Sequence, residues 1–181
     1  GLLFYGAIMV VALWEAVRPH RAPTISMTTR WVNNIALAAL DLAFLRWTIG
    51  FLTLYAAVTA QQHGWGLLNI IELPWWFALG IGFLWADFVS YGIHRLLHRN
   101  ALLWRLHRVH HSDPDIDFTT SHRHHPIELF ASALLTALAV IAMGAPPLAL
   151  LIWWAITGIS SVLQHGNVGL ADGMDRVLRW V

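Results

Sequence analysis

The stretch HRLLHRNALLWRLHRVHHS, residues 94 to 112, carries histidines at positions 94, 98, 107, 110 and 111. Eight of the chain's eleven histidines fall between residues 94 and 125. Their spacing sorts them. His94 and His98 stand at i and i+4, and His107, His110 and His111 at i, i+3 and i+4, so each set shares one helix face. Two imidazoles a turn apart can grip one metal ion, and a second helix can supply the rest of its shell. Going from 98 to 107 is about half a turn out of phase at ~3.6 residues per turn, so one straight helix would aim the two sets in opposite directions. A break near Asn100 would let them converge.

Other residues join the same layer. The helix carrying the first pair places Asp87 and Tyr91 on the stripe of His94 and His98, which makes both candidates for a metal contact or for orienting a ligating imidazole. After a turn containing Asp113, Asp115 and Asp117 comes SHRHHPIE, with His122, His124 and His125. Pro126 disfavours helix at His125 but suits the first helical position, and Glu128 then lies in a first turn where the dipole favours an anion. His165, in LQHGNV, returns to this layer. The three aspartates read as a solvated acidic loop, and His20 and His63, isolated in loops, take no role.

With no cysteine in the chain, any metal must be held by nitrogen or oxygen. Imidazole suits zinc, copper, iron and nickel alike. A closed structural zinc site needs about four ligands, whereas this face offers more, so two metals are the economical reading. Redox iron here would activate dioxygen against a lipid tail, whereas two zinc ions would at most support hydrolysis. A zinc-holding structural or hydrolytic membrane protein and a metal transporter or sensor remain as rivals.

The elements that must position these groups are greasy. Hydrophobic residues make up 57% of the 181 and charged residues only 12%, against ~25% charged in soluble domains. There is no lysine, and the arginines cluster in connecting segments, a pattern of membrane topology rather than of nucleic-acid binding. Residues 1 to 17 are apolar but short, 31 to 60 are apolar enough to cross a bilayer despite Asp41 and Arg46, and a further run begins at Pro74. Residues 127 to 163 are apolar again and broken at GAPP, 144 to 147, which reads as the tip of a helical hairpin. The positive-inside rule puts loop 18 to 30, the histidine segment and residues 164 to 181, with Arg176 and Arg179, on the cytoplasmic side. The expectation is one domain over residues 1 to 181, all-α, an integral membrane helix bundle with a cytoplasmic histidine-rich metal-binding layer. The chain begins and ends in mid-pattern and reads as a fragment.

The run DFVSYGIHRLLHRNALLWRLHRVHHS, with its His-x3-His and His-x2-His-His boxes, resembles the fatty acid hydroxylase and sterol desaturase superfamily. SHRHHPIE is similar to that family's arginine-x-His-Pro-x-Glu stretch, and QHGNV to its later His-x-Asn. The resemblance covers roughly residues 75 to 170. It implies a membrane enzyme with a di-iron centre that uses dioxygen, and electrons from a separate donor protein, to hydroxylate or desaturate a lipid. It carries over His94, His98, His107, His110, His111 and His165 as metal ligands, with His122 and His125 as further candidates and His124 behind them. The family has another His-x2-His-His box after the His-x-Asn that this chain lacks, so these 181 residues alone are expected to hold an incomplete metal shell and to be inactive.

Overall fold

A computed structural model describes residues 2–45 and 50–178. Arg46 and Arg179 lie outside the described residues. The chain is all-α, and no strand occurs among the described residues beyond an isolated bridge between Pro19 and Val168. The helices are α1 (Leu2–Val17), α2 (Met27–Leu45), α3 (Gly50–His63), the one-turn α4 (Leu67–Ile70), α5 (Trp75–Arg99), α6 (Ala101–His107), α7 (Pro126–Met143), α8 (Pro147–His165) and α9 (Asp172–Leu178). Short 3-10 turns at His110–Ser112 and Phe118–His122 fill the segment between α6 and α7.

Three helices, α5, α7 and α8, are long and apolar enough to cross a bilayer. Their outward faces stay greasy: Leu84, Phe88, Leu138 and Ile156 are exposed, as lipid contact requires and water would penalise. Of the apolar stretch 31 to 60, residues 31–45 lie in α2 and residues 50–60 in α3, and residues 46–49 lie outside the described ones.

Local chemistry sets the breaks. Asn100 leaves the helix with extended dihedrals, and its Oδ1 accepts from the amides of Leu102 and Leu103, capping α6. That is the break the histidine phasing demands. Pro126 and Pro147 open α7 and α8 from the first turn, where a missing N–H costs nothing. Gly144 closes α7 in the left-handed region at φ 71°, a conformation that glycine adopts freely.

Ala57, Ala86, Val140, Ala145, Leu150 and Trp153 form the core where α3, α5, α7 and α8 meet. Its small side chains let the helices approach closely, and Phe83 and Trp154 pack against it. The two ends of the bundle differ in kind. At one, Gly66 presses on Gly144 and the ring of His63 stacks on Trp65. At the other lie loop 18 to 30, the histidine segment and residues 165 to 169, tied by Asn167 to His20 and Arg21.

Candidate metal centre

The kink at Asn100 folds α6 back so that the two histidine boxes meet. The ligand nitrogens of His94, His98, His107 and His111 all lie within 4.8 Å of one another. His98 Nε2 stands 3.1 Å from His94 Nε2 and 3.2 Å from His111 Nε2, and His111 Nε2 is 3.2 Å from His107 Nε2. We call this group the cage. A second pair forms beside it, with His165 Nε2 3.0 Å from His110 Nε2. The rings of His110 and His111 are neighbours at 5.0 Å, so the pair and the cage share a wall.

The far nitrogens decide what these rings present. His107 is fully buried, and its Nδ1 lies 2.8 Å from the carboxylate of buried Glu128. A carboxylate accepts, so the proton is assigned to Nδ1 and the Nε2 lone pair faces the cage. The same argument holds for His110, whose Nδ1 donates to the Arg123 carbonyl at 3.2 Å, and for His165, whose Nδ1 donates to the Ser161 carbonyl at 2.7 Å. Two lone pairs therefore face each other across 3.0 Å at His110 and His165. Without a cation that arrangement is repulsive; with one it is a ligand set, and the donor chemistry fits a metal of the imidazole-binding class.

Burial reinforces this. It pushes the imidazole of His110 down to about 3, helped by the nearby rings of His124, His165 and His111, so His110 is neutral at physiological pH. Burial also lowers His111, with His107 and His98 adding to the effect. Neutral imidazoles have no proton to release before they bind a metal.

The remaining predicted residues divide. His124 stacks flat on His110 at 4.9 Å, with its Nδ1 3.6 Å from Glu128 Oε1. His122 leans on Phe4 and donates from Nδ1 to Ser121 Oγ, whose own proton goes to the Phe118 carbonyl. His125 is a helix cap: its Nδ1 accepts from the Ile127 amide, which commits the lone pair. Asp87 accepts from the Trp153 indole at 3.3 Å and Tyr91 from Arg95 at 2.8 Å, so the stripe that joined them to His94 and His98 does not become contact with those rings.

Two of the three aspartates of the acidic loop, Asp113 and Asp117, are withdrawn from solvent, whereas Asp115 stays at the surface. Asp113 is bound by Arg30, Asn34 and Thr120, and Asp117 pairs with Arg30 at 3.0 Å and accepts from the Trp31 indole. Asp115 takes the amides of Thr24 and Ile25, and its carbonyl accepts from Arg30. Arg123 extends this clamp, donating to Asn34, to the Val109 carbonyl and to Ser112 while its own carbonyl holds His110. Glu15, buried on α1, accepts from the amides of Phe118 and Asn167. Sequence reasoning missed the grip of Glu128 on His107 and this clamp. The signal for Glu128 was its place three residues after His125, at the mouth of a helix opening on the histidine layer. Behind His107, both oxygens of buried Asp41, Glu128 Oε2 and His124 Nδ1 lack hydrogen-bond partners.

An apolar helix bundle with a polar end of converging imidazoles defines an all-α membrane protein with a histidine cluster that could hold a metal. Residues 79–180 match the family described as Fatty acid hydroxylase, and the chain belongs to that family. It is 25% identical, over 95% of its length, to an ornithine lipid hydroxylase of Rhizobium tropici, of which it covers 54%. It is 36% identical to the alkylglycerol monooxygenase of Xenopus tropicalis and 29% to that of Homo sapiens, in each case over 41% of this chain and 17% of the relative. The chain thus spans about half, or less, of the curated relatives it matches. No solved structure matches it significantly.

Proposed function

We propose that this chain forms the metal-binding core of an oxygen-dependent lipid hydroxylase. In this reading His94, His98, His107 and His111 hold one iron ion, and His110 and His165 contribute to a second, beside His122 and His124. The observation that carries it is the set of Nε2 lone pairs turned on one another, each of three fixed by an acceptor at the opposite nitrogen. The names of the relatives, hydroxylase and monooxygenase, support oxygen insertion over desaturation.

Bound iron would supply dioxygen activation. The chain's own residues do the rest: Glu128 and the carbonyls of Arg123 and Ser161 hold the imidazole protons away from the centre, and the Arg30–Asp113 clamp keeps the second histidine box rigid. The apolar bundle beneath gives a lipid chain its approach from the bilayer. The reaction R–H + O2 + 2 e− + 2 H+ → R–OH + H2O breaks one C–H bond, forms one C–O bond and reduces the other oxygen atom to water. Its electrons come from a separate donor protein, and the arginine pattern supports a cytoplasmic histidine layer.

The test is elemental analysis of the full-length protein purified in detergent, combined with lipid extraction after incubation under 18O2 with a chemical reductant. Iron at about two per chain, the count of a paired-metal site, with one labelled oxygen atom in a lipid product is the expected result. Zinc alone with no labelled product would overturn the reading in favour of a structural or hydrolytic site.

A further inference from the structure

We propose that Trp104 and the exposed arginines around it, Arg99, Arg105 and Arg108, form the docking surface for an acidic, one-electron-carrying protein that supplies the histidine centre. The inference rests on the oxygenase reading above, since only a reaction that consumes two electrons per turnover needs such a partner. A one-electron carrier would dock, be oxidised and leave twice per product.

Three observations meet at this place. The Trp104 ring lies 5.2 Å from that of His98, 5.5 Å from His111 and 6.1 Å from His107, so one half-buried aromatic touches three rings of the cage. Beside it lies a shallow, open depression of the surface lined by Trp104, Arg108, Val109, His111 and Ser112. The charge around it has one sign. From residue 88 to 112 the sequence has four arginines and no acid, and Arg99, Arg105 and Arg108 are exposed with no carboxylate partner among the described residues. The acids that follow, Asp113, Asp115 and Asp117, are turned to Arg30, Thr24 and Trp31, so they do not neutralise this face.

A positive rim around an aromatic path to the metal ligands matches what transient electron transfer asks for: charge to steer the encounter and a short contact route once docked. Anionic lipid headgroups would also be drawn to the arginines. They would have no use for an aromatic bridge to the cage, so a protein partner fits better.

The experiment uses the full-length protein in nanodiscs of neutral phosphatidylcholine, with an acidic plant-type [2Fe–2S] ferredoxin as the probe. Ferredoxin binding to metal-free protein is followed by fluorescence anisotropy against salt, and reoxidation of reduced ferredoxin by iron-loaded protein in a stopped-flow instrument. Reversing Arg105 and Arg108 to glutamate should weaken binding and slow reoxidation by about tenfold or more, within the range of electrostatic steering. The lysine pair should restore both, and dithionite-driven product formation should stay at the parent level. Ferredoxin binding that ignores salt and charge reversal overturns the proposal. So does a reversal whose only effect is lost binding to phosphatidylglycerol vesicles, which would make the arginines a lipid contact. Failure of the oxygenase reading appears separately, as missing iron, because ferredoxin binding is measured on the metal-free protein.

Discussion

Removing the Glu128 carboxylate tests the centre at its most buried point. Glu128 is 3% exposed and His107 1%, and the bond between them is 2.8 Å. Glu128→Ala leaves the imidazole N–H of His107 without an acceptor in a place water does not reach, at a cost of about 1–3 kcal/mol. It also frees the proton to sit on Nε2, where it would cover the lone pair aimed at His111. Loss of such a partner typically lowers metal affinity by about 10–100-fold, or about 1.4–2.8 kcal/mol at about 1.4 kcal/mol per decade. The first figure is folding stability lost by the metal-free form and the second is metal affinity, so each has its own readout. Glu128→Gln keeps an oxygen acceptor but loses the charge, so its loss should fall between wild type and alanine. The assay is chelator competition for Co2+ on the full-length protein in detergent, with thermal unfolding of the metal-free form in parallel. Wild-type metal affinity together with a wild-type melting temperature in Glu128→Ala would refute the assignment of His107's proton and of Glu128's role.

The Arg30 clamp and the Gly66 contact yield two more expectations. Burial alone would raise the Asp113 carboxyl, but hydrogen bonds from Arg30, Asn34 and Thr120 outweigh it and hold the group at about 2 against an ordinary 3.8. A group depressed on folding adds stability that is present above the unfolded value and lost as pH falls through the folded one. Acid unfolding followed by circular dichroism should therefore steepen below pH 3.8 toward about 2, and Asp113→Asn should flatten that limb; an unaltered limb would count against the clamp. Arg30→Ala, which strands buried carboxylates, should cost about 3–5 kcal/mol in denaturant melts. A Cβ on Gly66 would lie 2.2 Å from the Gly144 amide nitrogen and 2.4 Å from the Ile141 carbonyl, whereas one on Gly64 would meet nothing within 4 Å. Both have positive φ, so Gly64→Ala should cost only the backbone term of about 1–2 kcal/mol and Gly66→Ala clearly more; equal melting temperatures would contradict the loop-to-hairpin packing.

Much of this protein is written along the chain. Periodic histidines, a proline-broken hairpin and a 12% charge content are local or compositional signals, and they suffice for an all-α bundle, the turn at GAPP, the break at Asn100 and a metal-seeking layer at one end. Helix phase is a property of neighbouring residues, so His94 with His98 and His107 with His111 could be paired before any fold was known.

What only the tertiary structure decides is which side chain answers which across long separations. Glu128 reaches His107 from 21 residues away and Arg30 reaches Asp113 from 83; nothing near either residue announces its partner. Asp87, placed by phase beside the histidines, accepts from Trp153 on another helix. His125, one more histidine by composition, commits its lone pair to a helix start. The physical reason is the same in each case. A buried hydrogen-bonding group takes the nearest complementary atom in space, and helix packing, not chain position, determines which atom that is.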